Sequence, residues 1–456
     1  MKKVQQKITL TTGSIWKGML WFAFPIFLGN VFQQFYNAFD SWVVGRFLGD
    51  KALAAVASSG NLIFMMTGFF MGVAMGAGVI IAQCYGARDY DTMNRAIYTN
   101  LVFGVVAGVV LTVVGIWFTP TILQWMGTPP DVFPESVTYF RFYFCGAVFN
   151  VMYNVFVGIL HGVGDSKHPL YYLMISTVVN VILDLVFVGI FRWGVGSAAI
   201  ATVIAQGVSA VLCGIHLCRV KAPYQLHLKK IRPDLESLRG IVRYGLPSGV
   251  QNSVIALANV VVQSSINSFG SGAMAGCGTY SKIEGFAFLP VTCFTMALST
   301  FVGQNLGAGK QYRVKKGIAF GVICSVTTAE LIGVACYLFA PQLIRFFNDS
   351  PEVLDFGVRH MRTICLFYCL LALSHCMAGV MRGAGKAAVP MYTMLLCWCV
   401  IRVSYITLML PRVPRLETVS WAYPITWTLS SIIFLIYFVK GNWMQGFVQP
   451  KEGETV

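Results

Sequence analysis

Apolar runs long enough to cross a bilayer, on the order of 20 residues each, recur from one end of this chain to the other. That pattern leaves room for little besides an all-α polytopic membrane protein. Composition agrees, because 56% of the 456 residues are hydrophobic and only 11% are charged, where a soluble domain carries roughly 25%. No stretch remains from which a soluble domain could be built. The N-terminus "MKKVQQKITLTTGS" is basic, yet a spanning segment of more than 25 residues follows it. A short apolar core with a small-residue cleavage site would mark a signal peptide, so no removable one is expected.

Reading apolar runs between turn signals gives twelve spans, at about 15–46, 52–83, 92–119, 134–163, 166–192, 195–219, 237–269, 274–305, 312–340, 352–383, 386–411 and 419–440. Lysine and arginine sort by side. The N-terminus, the loops after even-numbered spans and the C-terminus hold 22 of the 33, the loops after odd-numbered spans hold six, and five lie within spans. The positive-inside rule then places both termini in the cytoplasm. It also accounts for the formal charge of +15 as membrane orientation, with no nucleic-acid partner. The most basic loop, "CRVKAPYQLHLKKIRPDLESLR", divides the chain. Residues 1–220 are expected to form an N-terminal lobe, 221–236 an inter-lobe cytoplasmic loop, 237–440 a C-terminal lobe and 441–456 a short cytoplasmic tail.

The two halves repeat. "FPIFLGNVFQQFYN" around Pro25 aligns with "LPSGVQNSVIALAN" around Pro247 at an offset of 222, which becomes 221 and persists. Gln83 and Gly86 meet Gln304 and Gly307, Pro120 meets Pro341, "LHGVGDSKHP" meets "MRGAGKAAVP", and Pro169 meets Pro390. Six spans per copy give both copies the same orientation, related by a pseudo-twofold axis along the membrane normal. Parallel repeats of this kind are a transporter architecture, with the substrate path expected between the lobes.

Asp40 behind Pro25, the "GQNLGAG" loop, the "GVGDS" and "GAGK" loop pair and the six-plus-six repeat together resemble the multidrug and toxic compound extrusion (MATE) family. The resemblance covers essentially the whole chain and is nearest the bacterial DinF-like branch. It implies a monomeric secondary antiporter of the bacterial cytoplasmic membrane, needing no cofactor. Such a protein exports amphipathic, often cationic, drug-like compounds in exchange for Na⁺ or H⁺. In the DinF-like branch an N-lobe acid cluster of this pattern is implicated in cation coupling.

The residues support a site of that kind. Span 1 sets Gln33, Tyr36, Asn37 and Asp40 on one helical face, and span 5 does the same with Ser176, Asn180 and Asp184. Span 4 offers Asn150 and Asn154, and span 6 offers Thr202 and Gln206. Counting from Arg46 and Arg192 at 1.5 Å per residue, Asp40, Asp184 and Thr202 lie roughly 9–15 Å below the outer surface. A carboxylate in hydrocarbon costs at least ~2.5 kcal/mol, and two together cost more, so the pair is expected to hold a proton or a cation. Asp40, Asn180, Asp184 and Thr202 form an all-oxygen set suited to a hard cation such as Na⁺, and equally to a shared proton. Gln33, Tyr36, Asn37, Asn150, Asn154, Ser176, Gln206 and His375 are the candidates for the substrate cavity. Pro25 is the candidate hinge.

The second half acts as an internal control. By the repeat, Asp40 maps to Val262, Asp184 to Tyr405, Thr202 to Tyr423 and Asn154 to His375, so ion chemistry is expected in the first lobe only. Glu284 beside Lys282 reads as a paired or interfacial acid, and Glu330 as structural. Arg141, Arg359, Arg362 and Arg402 read as span-end residues free to snorkel.

Other classes find little support. "GVGD" at Gly162–Asp165 imitates an intramembrane aspartyl protease but falls in a loop, and the repeat replaces Asp165 with Lys386, so no enzyme is expected. "GQNLGAGK" ends like a phosphate loop, yet Gln304 stands where the first glycine belongs and Gln311 where Ser or Thr belongs. The thirteen cysteines lie in apolar segments, and no Cys/His spacing matches a zinc site. A flippase for lipid-linked saccharides is the alternative transporter, but it calls for a basic cavity where these stripes are neutral or acidic. A channel or scaffold would show no saturable, gradient-dependent flux.

Overall fold

The computed structural model describes residues 10–125 and 128–445, without side chains at Asp50 and at scattered positions from 53 to 74. Residues 446–456 of the expected tail lie outside the described residues. Among those described there are helices and turns but no strand. In chain order the helices are α1 (Ile15–Leu48), α2 (Asp50–Ala87), α3 (Tyr90–Trp125), α4 (Phe133–Cys145), α5 (Ala147–Gly162), α6 (Lys167–Asp184), α7 (Val195–Arg219), α8 (Leu235–Asn267), α9 (Ser271–Ala287) and α10 (Leu289–Gly307). They continue with α11 (Gln311–Leu338), α12 (Ala340–Arg345), α13 (Pro351–Ile364), α14 (Tyr368–Gly383), α15 (Ala388–Met394), α16 (Arg402–Met409) and α17 (Leu416–Lys440).

Among the described residues nine spans are apolar and long enough to cross a membrane, and two bent helix pairs, α4–α5 (49°) and α9–α10 (40°), add two more. With the 38-residue α2 these make the twelve expected. The bends fall where the sequence weakens a helix: Gly146 separates α4 from α5, and a proline in the first turn of α10 follows Phe288. A 3₁₀ turn at Cys365–Phe367 separates α13 from α14. There the Cys369 N–H donates to Glu330 Oε2 at 3.2 Å, so Glu330 satisfies a backbone donor that the broken helix leaves over. Spans 5 and 11 each contain a π-helical turn, Leu185–Ile190 after Asp184 and Leu395–Ile401 before Arg402.

The chain forms two compact units. One is Leu28–Gly249; the other comprises the described parts of Met1–Phe27 and Val250–Val456. Both boundaries fall two residues after an intrahelical proline, Pro25 in α1 and Pro247 in α8, where a backbone hydrogen bond is missing. Within Leu28–Gly249 the start of α8 docks on α2 through two Gly-x-x-x-Gly pairs, since a Cβ at Gly72 or Gly76 would overlap the backbone of Gly249 or Gly245. Small residues at this spacing let helices approach closely where hydrophobic burial gives no drive. In the other unit Met19, Phe22, Ala23 and Ile26 of α1 pack into a core with Leu298, Phe301, Met377 and Phe434.

The repeat is visible in the backbone of each unit taken separately. Left-handed residues occur at matched positions: Gly49 (φ 86°) and Gly270 (97°), Arg88 (57°) and Gly309 (69°), Gly164 (88°) and Gly385 (75°). The "GQNLGAGK" loop has a mechanical task in its own unit. Asn305 Nδ2 donates to Leu10 O (3.1 Å), Lys310 Nζ to Thr11 O (3.0 Å) and Arg313 Nη1 to Gly13 O (2.9 Å), which pins the segment leading into α1.

Candidate functional site

In the Leu28–Gly249 unit, α1 carries Tyr36 and Asp40 one turn apart, both buried, and α6 carries Ser176, Asn180 and Asp184 at successive turns. Asn180 and Asp184 are wholly inaccessible, and Thr202 on α7 is 5% exposed. The two carboxyl groups are adjacent and act directly on each other. Asn180 lies beside Asp184, and Thr202 beside the Tyr36 hydroxyl. Despite this crowding, no hydrogen bond satisfies Asp40 Oδ1, either oxygen of Asp184, either polar atom of Asn180, Thr202 Oγ1 or Tyr36 OH.

Buried polar atoms are nearly always hydrogen-bonded, and each orphan costs about 1–3 kcal/mol. Ionised carboxylates are acceptors only, so two of them side by side cannot satisfy one another. A proton shared by the pair converts one into a donor. A small hard cation instead draws on the carboxylate, amide and hydroxyl oxygens together. The donor set of Asp40, Asn180, Asp184 and Thr202 fits either.

Two tyrosines that the sequence reading passed over complete the site. Tyr139 and Tyr143 of α4 are stacked, with centroids 6.4 Å apart and planes at 21°, and Tyr139 is an electrostatic neighbour of both acids. The Tyr143 hydroxyl accepts from Asn150 Nδ2 at 3.2 Å, and Asn150 Oδ1 accepts from Asn154 Nδ2 at 3.0 Å. Gln206 borders the same hydroxyl. The spacing of four residues between these rings was a legible signal, but in apolar sequence a tyrosine pair reads as packing.

Other candidates sit elsewhere. Gln33 and Asn37 bond each other at 3.4 Å on the exposed side of α1, so the polar stripe of this helix divides between an exposed and a buried edge. Ser176 Oγ donates to the Ala205 carbonyl at 2.6 Å and fastens α6 to α7. His375 belongs to the other unit, where its ring lies 4.8 Å from Phe288 and 5.3 Å from Trp398.

That other unit replaces the acids with packing. Val262 joins an apolar cluster with Ile406 and Val419. Its buried charge is a cation: Arg402 is 2% exposed, donates from Nη2 to Thr426 Oγ1 at 2.9 Å, and lies 5.0 Å from the Trp398 ring and 4.5 Å from the Tyr423 ring. The expectation that Arg402 snorkels to a span end is therefore corrected, because the two aromatic faces hold the guanidinium inside the bundle. Glu284 accepts from Tyr280 OH at 2.9 Å and feels Arg402 electrostatically. Lys282 instead lies near the Phe347 ring.

Comparison with known proteins agrees with the repeat and with the fold. The MatE family model matches the chain twice, over residues 25–186 and 247–408, once in each repeat. A protein described as the probable multidrug resistance protein YoeA of Bacillus subtilis is 30% identical over 436 residues, spanning 93% of this chain and 94% of that one. The probable multidrug resistance protein NorM of Thermotoga maritima is 24% identical over 452 residues, spanning 96% and 95%. A structure described as the outward-facing conformation of a MATE family multidrug resistance transporter superposes with a TM-score of 0.88 at 21% identity, covering 96% of this chain and 98% of that one. With twelve spans in two lobes and a family match in each half, the chain belongs to the MATE family of membrane transporters.

Proposed function

We propose that this protein is a secondary antiporter that exports amphipathic, often cationic, drug-like compounds in exchange for Na⁺ or H⁺, coupled through Asp40 and Asp184. The observation that carries the reading is the adjacent, buried pair of acids ringed by unsatisfied polar atoms. One added positive charge relieves both the repulsion and the orphaned oxygens, so occupancy by the ion is strongly coupled to local conformation. In this scheme the acids take an ion from outside, with Asn180 and Thr202 supplying further oxygens if the ion is Na⁺. The α1 segment beyond Pro25 then bends, and Tyr36 moves with Asp40. Gln33, Asn37, Asn150, Asn154 and Gln206 contact the substrate, and ion release inside resets the cycle. The distribution of basic loops supports cytoplasmic termini in a bacterial inner membrane, and the family resemblance supports a monomer acting without a cofactor.

The test is uptake into proteoliposomes under separately imposed sodium and pH gradients. The expected result is saturable transport that follows one of the two gradients and is lost in Asp40→Asn and in Asp184→Asn. Normal expression with transport equal to the parent in both variants would remove the coupling scheme.

A further inference from the structure

The proposed coupling scheme gives the side chains of the "GVGDSKH" loop no task, yet two of them meet a histidine of α7 to bring three metal-ligand side chains together. Asp165 lies between α5 and α6, His168 in the first turn of α6 and His216 in the last turn of α7. Their ligand atoms all lie within 4.8 Å of one another. His168 Nδ1 is 2.6 Å and His216 Nε2 is 4.0 Å from Asp165 Oδ2. The imidazoles stack with centroids 4.0 Å apart and planes at 29°. Asp165 and His216 are mostly buried, with side-chain exposures of 17% and 15%, whereas His168 is 41% exposed and leaves a path to solvent.

The repeat shows that the turn does not need these residues. Asp165 N–H donates to Leu160 O and Gly164 N–H to His161 O, and the other unit makes the same bonds from Lys386 to Met381 and from Gly385 to Arg382. The matched glycines share a left-handed φ as well. Yet the equivalents of Asp165, His168 and His216 are Lys386, Val389 and Tyr437. In the first unit Asp165 Oδ1 accepts from the Lys167 and His168 N–H groups at 3.2 and 3.3 Å. That fixes the carboxylate and leaves Oδ2 turned toward both rings.

We propose that Asp165, His168 and His216 form a binding site for a divalent transition metal of the zinc class. Two imidazole nitrogens and one carboxylate oxygen are a common three-protein-ligand set for Zn²⁺ or Co²⁺, with water in the fourth position. Ligands at about 2.0–2.1 Å from a tetrahedral ion stand about 3.3 Å from one another. The observed 2.6 and 4.0 Å separations bracket that value, so seating the ion calls for a shift of Oδ2 from His168 toward His216, with the two nitrogens, which lie within 4.8 Å of each other, set to the same spacing. Binding uses the lone pairs of His168 Nδ1 and His216 Nε2, and any proton on either nitrogen leaves to water. A bound ion would tie the start of α6 to the end of α7, the two helices that carry Asp184 and Thr202 farther along.

The experiment is titration of full-length, tag-free protein in detergent with Co²⁺, followed by ligand-field absorption and competition with Zn²⁺. The expected result is one equivalent of cobalt in a four-coordinate spectrum, displaced by zinc. Binding should weaken by about 100-fold or more in His168→Ala and His216→Ala, beyond the 10–100-fold that outer-shell changes cost, and also fall in Asp165→Asn. His216→Gln keeps the bulk of the ring should the alanine variant fail to fold, and His227→Ala in the following loop should leave binding unchanged. Absence of stoichiometric binding by the parent, or equal binding by folded variants lacking either imidazole, would overturn the site.

Discussion

The two lobes of this transporter share a backbone plan and differ in the sign of what they bury. The first encloses Asp40 and Asp184 with Asp40 Oδ1 and both Asp184 oxygens lacking a hydrogen-bond partner; the second encloses Arg402 between Trp398 and Tyr423, with Thr426 as acceptor. In the first, carboxylate oxygens are left without partners; in the second, one nitrogen is bonded and two rings hold the guanidinium, with Arg402 Nε left over. Unsatisfied buried charge carries a standing cost and therefore a standing tendency to bind, whereas a capped cation belongs to the architecture. Each lobe also places a π-turn in the helix bearing its buried charge, directly after Asp184 in one and directly before Arg402 in the other. Such turns free backbone groups and often mark functional positions. Gene duplication would thus have supplied the scaffold twice, with buried carboxylates kept in one copy.

The comparison fails most visibly if the acids prove dispensable. Asp184→Asn and Asp40→Asn should each lower gradient-driven uptake by about tenfold or more, which is at least ~1.4 kcal/mol of lost coupling. Tyr405→Phe, at the position matching Asp184, should leave the gradient response intact. A smaller effect separates the lobes by packing. Gly162 faces the Gly78 carbonyl, at 2.9 Å from where a Cβ would stand, and Gly383 faces the Ser299 carbonyl more closely still. Gly383→Ala should therefore destabilise by about 1–3 kcal/mol and Gly162→Ala by less, read as thermal unfolding in detergent.

Arg402→Lys tests whether the second lobe's charge is architectural. A lysine cannot reproduce the planar stack on two rings, so stability should fall by about 1–2 kcal/mol while the ion dependence of transport stays as in the parent. The smallest effect concerns one turn. Arg88 adopts the left-handed conformation that Gly309 adopts in the other copy, so Arg88→Gly should stabilise by up to about 1 kcal/mol, measured in the same unfolding assay.

The sequence made some of this plain and hid the rest, for identifiable reasons. Asp40 and Asp184 were legible because a carboxylate in apolar sequence is conspicuous and the repeat shows what the position holds when the acid is dropped. Helix periodicity aligned Tyr36 with Asp40, but it could not say that Gln33 and Asn37 would turn to the exposed edge, since adjoining faces differ by only a fraction of a turn. Tyr139 and Tyr143 were hidden among 34 phenylalanines and 19 tyrosines, where an aromatic carries no contrast. Arg402 was misplaced because its partners Trp398, Tyr423 and Thr426 come from two spans, and distance along the chain says nothing of the pocket they make. The Asp165 cluster escaped for the same reason: His216 is a whole membrane crossing and return away from His168.

The prolines in α1 and α8 also bear on biogenesis. The described residues up to Phe27 are made before the Leu28–Gly249 unit, yet their core partners, among them Leu298, Phe301, Met377 and Phe434, are made after it. That segment must wait, unmated, until the intervening unit has been made and its partners follow. Cutting the gene at the basic loop would separate that segment from its destination, and would take the opening turns of α8 away from Gly72 and Gly76. Neither fragment would encode a whole folding unit, so the two halves are expected to mature only when made together.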